Sequence, residues 1–156
     1  MIRVEEEFDV EAGAANVYQS ICDVGEIGYV IAGVQHVDVI DEDHSTWKVQ
    51  VKAGMIAQTL TLSGEILTRT PPSGLTFRAE GRNVALSGLV ELTALGPALT
   101  RCRVAVESQV TGKLAALVSL IVRTTQRQLI NQTIANFRRK LEAESLAPAA
   151  ALGAGP

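Results

Sequence analysis

From Arg3 to Val10 the charged residues Arg3, Glu5, Glu7 and Asp9 alternate with Ile2, Val4, Phe8 and Val10, the period of a strand with one face in water. Only Glu6 breaks the apolar side. Between Ala14 and Cys22 the apolar residues Val17, Tyr18 and Ile21 recur at helical spacing. The glycine-punctuated stretch 25–33, around Ile27, Tyr29, Val30 and Ile31, predicts a second short helix or turn. Six further segments have strand character: 34–40, 45–52, 56–70, 75–82, 86–95 and 100–110. The breaks between them carry turn chemistry, namely Asp41-Glu42-Asp43-His44, Gly54, Pro71-Pro72-Ser73-Gly74, Arg82-Asn83 and Gly96-Pro97, and their shortness predicts antiparallel hairpins. After Gly112 the pattern changes to a helix over 113–142, and the Ala/Pro/Gly-rich stretch 144–156 reads as a disordered tail. Strands segregated from one long helix predict a single α+β domain over 1–143. Its curved antiparallel sheet of about seven strands would wrap the C-terminal helix, with two short helices after the first strand.

Side chains alternate across a strand, so the apolar parity of each segment predicts what lines the space between sheet and helix. The inward sets are Trp47, Val49 and Val51; Leu60, Leu62, Gly64 and Ile66; Leu75, Phe77, Ala79 and Gly81; Leu86, Gly88, Val90 and Leu92; and Cys102, Val104, Val106, Ser108 and Val110. The opposite parity carries Lys48, Lys52, Glu65, Arg78, Glu80, Arg82, Glu91, Arg101, Arg103 and Glu107. Acid-base catalysis needs an ionisable group inside the pocket, and this lining offers only Glu6, so no catalytic residue is assigned. His36 falls on the charged parity of its strand and His44 in an acidic turn, which makes both surface histidines. No Cys/His cluster has zinc spacing, and Asp41, Glu42 and Asp43 lack the ligand spacing of a calcium loop, so no metal or cofactor is expected. Small residues at mid-strand, Gly64, Ala79, Gly81 and Gly88, leave two readings open: sheet curvature alone, or curvature plus a cavity.

Charge and composition narrow the partners. The 156-residue chain has a net charge of −3 and a pI near 5.4, so it has no global positive field to gather nucleic acid. Its first residues lack the basic and apolar regions of a secretory signal, and cytoplasmic placement is the expectation. Cys22 and Cys102 stand in an expected helix and strand rather than in a spaced framework, as buried free thiols do.

The start of the long helix is apolar nearly all round: in Leu114 to Val122 only Ser119 is polar. Leu114, Val118, Ile121 and Thr125 form one stripe, which leaves Ala116 and Leu120 facing away from it. Leu117 and Leu120, framed by Lys113, Arg123 and Arg127, are expected to be exposed and to touch a partner enzyme or a membrane edge; loops or a homodimer mate are the alternative cover. Nine residues make about 14 Å of helix, too short to span a bilayer, which needs about 20 residues. Farther on, Ile130, Ile134, Phe137 and Leu141 point about 150° from the first stripe on a straight helix, so the two halves should pack on different surfaces.

The order strand, two short helices, six strands, long helix resembles the helix-grip arrangement of the START-like (SRPBCC) superfamily. Val10-Glu11-Ala12-Gly13 followed by Val17-Tyr18, Ile21 and Asp23 resembles its first strand-to-helix junction. Gly54, Leu62-Ser63-Gly64, Pro71-Pro72, Gly81, Gly88, Gly112-Lys113-Leu114-Ala115 and Ala135-Asn136-Phe137 are similar to the carbon monoxide dehydrogenase G-subunit (CoxG-like) family, over residues 1 to about 141. The resemblance implies a cavity for a lipophilic small molecule. Its expected contacts are Tyr18, Tyr29, Leu62, Phe77, Ala79, Gly81, Leu86, Gly88, Val106, Ser108, Ile121, Thr125 and Leu129. It also implies a non-catalytic accessory to a molybdenum-flavin carbon monoxide dehydrogenase-type enzyme, assisting its maturation, its membrane association at the inner face, or exchange with a quinone-type carrier. Two alternatives stay open: a START-like cyclase or hydrolase using Glu6 or a tyrosine, and a general lipid-transfer module.

Overall fold

A computed structural model describes residues 2–53, 55–124 and 126–154, and the side chains of these apart from residues 53, 118, 120–124, 126 and 145–154. Strand β1 (Ile2–Val10) leads through Gly13 into α1 (Ala14–Cys22), the single turn α2 (Val24–Ile27) and a 3-10 turn (Gly28–Val30). Six strands follow: β2 (Val34–Val39), β3 (His44–Ala53), β4 (Ile56–Thr70), β5 (Gly74–Gly81), β6 (Val84–Gly96) and β7 (Leu99–Val110). They form one seven-stranded sheet in the order β1-β7-β6-β5-β4-β3-β2, antiparallel at every pairing. The first strand thus closes on the last, as the helix-grip order requires.

Register sets inward residues opposite inward residues. Trp47 faces Leu62, Gly64 faces Ala79, Phe77 faces Gly88, and Val90 faces Val104. On the outer face the expected charges pair across strands. Arg3 meets Glu107 at 2.6 Å, Arg103 meets Glu5 at 2.7 Å, Arg101 meets Asp9 at 2.9 Å and Arg78 meets Glu65 at 2.8 Å. Both histidines are half exposed on this surface, where His36 contacts Asp38 and His44 contacts Asp41.

The two halves of the long helical region pack on different surfaces, as their stripes predict. On either side of residue 125, which is not described, it comprises α3 (Lys113–Thr124) and α4 (Gln126–Ala154), and each packs on its own core. Leu114 and Leu117 of α3 cover Val51, Leu60, Val84 and Val110 at one end of the sheet. Phe137 and Leu141 of α4 cover Val10, Ala12, Val17, Leu92 and Cys102 at the other. Two apolar stripes about 150° apart cannot both face one surface from a straight helix, and the two stripes pack on opposite ends of the sheet. Leu117, expected at the surface, is buried at 7% exposure, because it stands three residues from Leu114 on the same helical face. Ala116 and Leu114 differ as expected in direction, and Ser119 between the stripes is exposed. Leu120, Ile121, Arg123 and Thr125 lie outside the described residues as far as their side chains go. Helix α4 continues to Ala154, through the stretch read as a disordered tail, where alanine, the strongest helix former, predominates.

Side-chain hydrogen bonds fasten α4 to the helical insert and to the sheet. Asn136 Nδ2 donates to the Val30 carbonyl at 3.1 Å, and the Ala32 N–H donates to Thr133 Oγ1 at 3.0 Å, so the loop after the 3-10 turn is tied to α4. Arg138 donates to the Asp9 carbonyl at 3.0 Å. At the same end Thr100, fully buried, donates through Oγ1 to the Ala12 carbonyl at 2.7 Å and holds the turn into α1 against β7.

Candidate functional site

The curved sheet does not close on α4. Between them lies a cavity of about 570 Å³, inside the range of roughly 300–1,000 Å³ typical of small-molecule pockets. Its floor is the inward parity of the strands: Val4 and Phe8 of β1, Trp47 and Val49 of β3, Leu62 and Ile66 of β4, Phe77 and Ala79 of β5, Leu86 and Val90 of β6, and Val104 and Val106 of β7. The roof is one stripe of α4: Leu129, Ile130, Thr133, Ile134 and Phe137. The side wall is Ile27, Val30, Ile31, Ala32 and Val34, from the insert and the start of β2. Phe137 seats edge-on against Phe8, with ring centroids 6.2 Å apart and planes at 90°. Ile31 and Leu129 line the cavity and are 42% and 37% exposed, which marks them as its rim.

Few polar atoms reach this space. Ser45 is buried and accepts from Trp47 Nε1 at 2.7 Å, and Thr133 accepts from Ala32, while Glu65 and Arg78, which also border the cavity, pair with each other at 2.8 Å, so all four are already engaged. Glu6 is the exception the sequence pattern singles out. It points inward with Val4 and Phe8, lines the cavity, and its carboxylate meets Arg127 of α4 at 2.8 Å. The Glu6 side chain is 21% exposed and that of Arg127 69%, so the pair sits where the lining meets water. Arg127, expected to frame an outer docking surface, instead ties α4 to β1; Lys113 is exposed. The Cys102 thiol is pushed by burial up to about 11, which keeps it a protonated, unreactive wall group. Among the described residues no three His, Cys, Asp or Glu side chains gather into a metal site.

Of the expected ligand contacts, Leu62, Phe77, Ala79, Leu86, Val106 and Leu129 line the cavity. Gly81 and Gly88 do not, because neighbours cover them. A Cβ on Gly88 would come within 2.6 Å of the Phe77 ring and 2.8 Å of the Ala105 carbonyl, and one on Gly81 within 2.8 Å of Leu62 Cδ2. These glycines make room for the side chains that shape the lining. Ser108 lies opposite Ile2 and Leu86, beyond the lining. Tyr29 is 48% exposed and faces away, its hydroxyl accepting from the Val37 N–H at 3.1 Å. Tyr18 packs beside the Val10–Phe137 core rather than in the cavity. Its buried hydroxyl has no hydrogen-bond partner among the described residues, and burial, then the neighbouring Cys22 thiol, pushes the phenol above its ordinary value. Ile121 and Thr125 lie outside the described residues. The roof residues Ile130, Ile134 and Phe137 are the second helical stripe of the sequence pattern, facing the cavity. The side wall had no such signal, since a short glycine-rich segment has no period to read.

No curated protein matches the sequence. Among solved structures the chain is similar to a conserved protein from Geobacillus kaustophilus, with a TM-score of 0.77 at 17% identity over 90% of this chain and 95% of that one. It is similar to the Zhui aromatase/cyclase of Streptomyces sp. R1128, with a TM-score of 0.68 at 14% identity over 94% and 97% of the two chains. It is also similar to a START superfamily protein from Mycobacterium smegmatis, with a TM-score of 0.68 at 11% identity over 90% and 97%. These likenesses show the START-like fold. Residues 7–142, from within β1 to within α4, match the G subunit of carbon monoxide dehydrogenase (CoxG), and the chain belongs to that family.

Proposed function

We propose that this protein holds a lipophilic small molecule between sheet and α4 and serves, without catalysis of its own, as an accessory to a carbon monoxide dehydrogenase-type enzyme. The observation that carries the ligand is the cavity, whose lining is apolar apart from a few engaged polar groups and the Glu6–Arg127 pair at its edge. The family membership supports the partner. An apolar ligand gains from the area it removes from water, at roughly 25 cal/mol per Å², and needs little directional chemistry to stay. Maturation of the enzyme, its placement at a membrane and exchange with a quinone-type carrier are the three services such a carrier can render. No helix among the described residues is long and apolar enough to cross a membrane. Titration with the neutral apolar probe N-phenyl-1-naphthylamine tests the cavity: saturable fluorescence enhancement is expected, and its absence from folded protein would remove the ligand reading. Co-purification with a tagged carbon monoxide dehydrogenase tests the partner separately.

A second reading has one observation in its favour. Glu6 faces the cavity, as a cyclase or hydrolase acid-base group would, on a fold shared with an aromatase/cyclase. Against it, the carboxylate is held by a guanidinium at the cavity edge, whereas acid-base work needs a group free to exchange protons with the ligand. Replacing Glu6 with Gln separates the two: a carrier keeps probe uptake, and an enzyme of this kind loses its turnover.

A further inference from the structure

The margins of the cavity differ in what an apolar molecule would cross on its way in. Along β1 the margin is a charge pair, Glu6 with Arg127. At β4 and β5 it is another, Glu65 with Arg78. Between the helical insert and α4 it is apolar. Among the described residues, Ile31 and Leu129 are the two exposed large hydrophobics that also line the cavity, and they stand on opposite sides of this seam. Passage over an ion pair strips water from charges, a cost that two aliphatic side chains do not impose.

The seam is closed by few contacts. Leu129, Thr133 and Asn136 follow one another at four and three residues, on one face of α4. Asn136 Nδ2 reaches the Val30 carbonyl and Thr133 Oγ1 the Ala32 N–H, so residues 30–32 run alongside the helix. These residues belong to a strap, Gly28 to Gly33, whose two ends are fixed to the sheet. Gly28 is buried, and a Cβ there would come within 2.6 Å of Val37 Cγ2 and 3.0 Å of the Trp47 ring. Gly33 stands at φ 96°, a conformation glycine adopts without strain, and its carbonyl accepts from the Gln50 N–H at 2.7 Å at the base of the β3–β4 hairpin. Between these anchors the Tyr29 hydroxyl holds the Val37 N–H of β2. The strap is therefore part of the sheet side, and its tie to α4 is two side-chain hydrogen bonds.

We propose that the seam between the Gly28–Gly33 strap and α4 is the door through which the cavity fills and empties, with Thr133 and Asn136 as clasps that set the rate of exchange and not the affinity. The inference rests on the ligand reading above. Opening breaks two hydrogen bonds and parts Ile31 from Leu129, while Phe137 and Leu141 keep α4 seated on the Val10–Cys102 core. Local openings of this kind cost far less than global unfolding, and they control how fast a closed site exchanges its contents. Each clasp bonds a backbone group of the strap, so loosening it raises entry and exit alike.

The test is stopped-flow exchange of N-phenyl-1-naphthylamine with the full chain. Thr133→Val and Asn136→Ala should each raise the association and dissociation rates about fivefold, the weight of one typical hydrogen bond, with Kd within about twofold of wild type. Arg127→Gln, which loosens the β1 margin, and Leu60→Ala, which loosens the core under α3, should leave both rates unchanged. Ala32→Cys with Thr133→Cys, in a Cys22→Ser background, should trap the probe when loaded and then joined by a short bis-methanethiosulfonate. Release should slow at least about tenfold and recover on reduction with dithiothreitol. Clasp variants that exchange at the wild-type rate, equal acceleration in Arg127→Gln or Leu60→Ala, or a cross-linked protein that releases probe as fast as its reduced form would each overturn the proposal. Saturable uptake alongside any of these leaves the ligand reading standing, whereas folded protein that takes up no probe removes both.

Discussion

Ala79 and Gly88 are small residues on neighbouring inward positions, yet they do opposite things. Ala79 faces open cavity, while Gly88 is the bed of the Phe77 ring. Ala79→Leu should therefore fill part of the cavity, abolish uptake of N-phenyl-1-naphthylamine, and cost well under the roughly 1–3 kcal/mol usual for overpacking. Gly88→Leu should cost at least that much, because the Ala105 carbonyl 2.8 Å from a Cβ is backbone and cannot step aside. Equal melting temperatures for the two variants would contradict the assignment. The sequence shows a small residue but not whether the space beside it is empty or occupied; that depends on the neighbour's rotamer, which no period reports. Glu6 is different, since a charge on the apolar side of a strand stands out from the alternation alone. What could not be read was its partner, which stands far along the chain on α4. A double-mutant cycle of Glu6→Gln and Arg127→Gln should give a coupling of about 1 kcal/mol or less, as Arg127 is mostly in water, and a coupling of about 3 kcal/mol would mean a desolvated pair.

At the level of elements the strands were legible because each is bounded by residues with a mechanical reason to turn. Pro71-Pro72 and Asn83, the latter at φ 64°, end strands wherever they fall in such a pattern. The long helix was only half legible. Its two stripes were visible, and with them the need for two surfaces, but assigning the first stripe to Leu114, Val118, Ile121 and Thr125 put Leu117 on the wrong side. Helical neighbours at three and four residues are equivalent in reach, and only the hairpin beneath decides between them. Leu117→Ser should therefore behave as a core substitution, lowering stability by several kcal/mol, at least the about 2–5 kcal/mol of Leu→Ala, rather than as a neutral surface change; chemical denaturation measures it. The Ala135-Asn136-Phe137 motif has its physical explanation in the same element. Phe137 enters the core and the cavity roof, and Asn136 reaches over to cap the Val30 carbonyl of the side wall. Asn136→Ala should cost about 1 kcal/mol, with the loss localised: amide exchange in residues 31–34 should rise while the central strands keep their protection. Uniform acceleration across the sheet would place Asn136 in the global core instead.

For the whole molecule, the charges that set the pH dependence lie on exposed surface, and their effect falls in two opposed windows. Arg103, and then Arg3, hydrogen-bonds Glu5 and holds its carboxyl below the ordinary value; Arg101 does the same to Asp9, and the His44 ring with the Asp43 N–H does so to Asp41. A depressed carboxylate means that the unfolded chain takes up protons first as pH falls. Its contribution is complete above about 4, the ordinary carboxylate range, and is lost as pH drops below that towards the folded value. His44 has the opposite sign, since its hydrogen bond to Asp41 raises it above the ordinary histidine value. Its contribution is complete below about 6.5 and is lost as pH rises through the folded value. Stability should therefore be greatest between about pH 4.5 and 6.5 and should decline on both sides. All of these groups are exposed, so each slope should be shallow and should shrink when salt is added. Urea midpoints from about pH 3.5 to about 8.5, which spans both windows, measure the profile. Mutation distinguishes the two arms, although His44→Asn also removes the Asp41 share of the acid one. His44→Asn removes the group whose bond weakens on the alkaline side, so it should flatten that arm; Arg103→Gln should reduce the acid arm by the Glu5 share and leave the alkaline one. A His44→Asn variant that keeps the full alkaline decline would show that the slope belongs to another group, and the outer-face origin of the alkaline arm would fall with it.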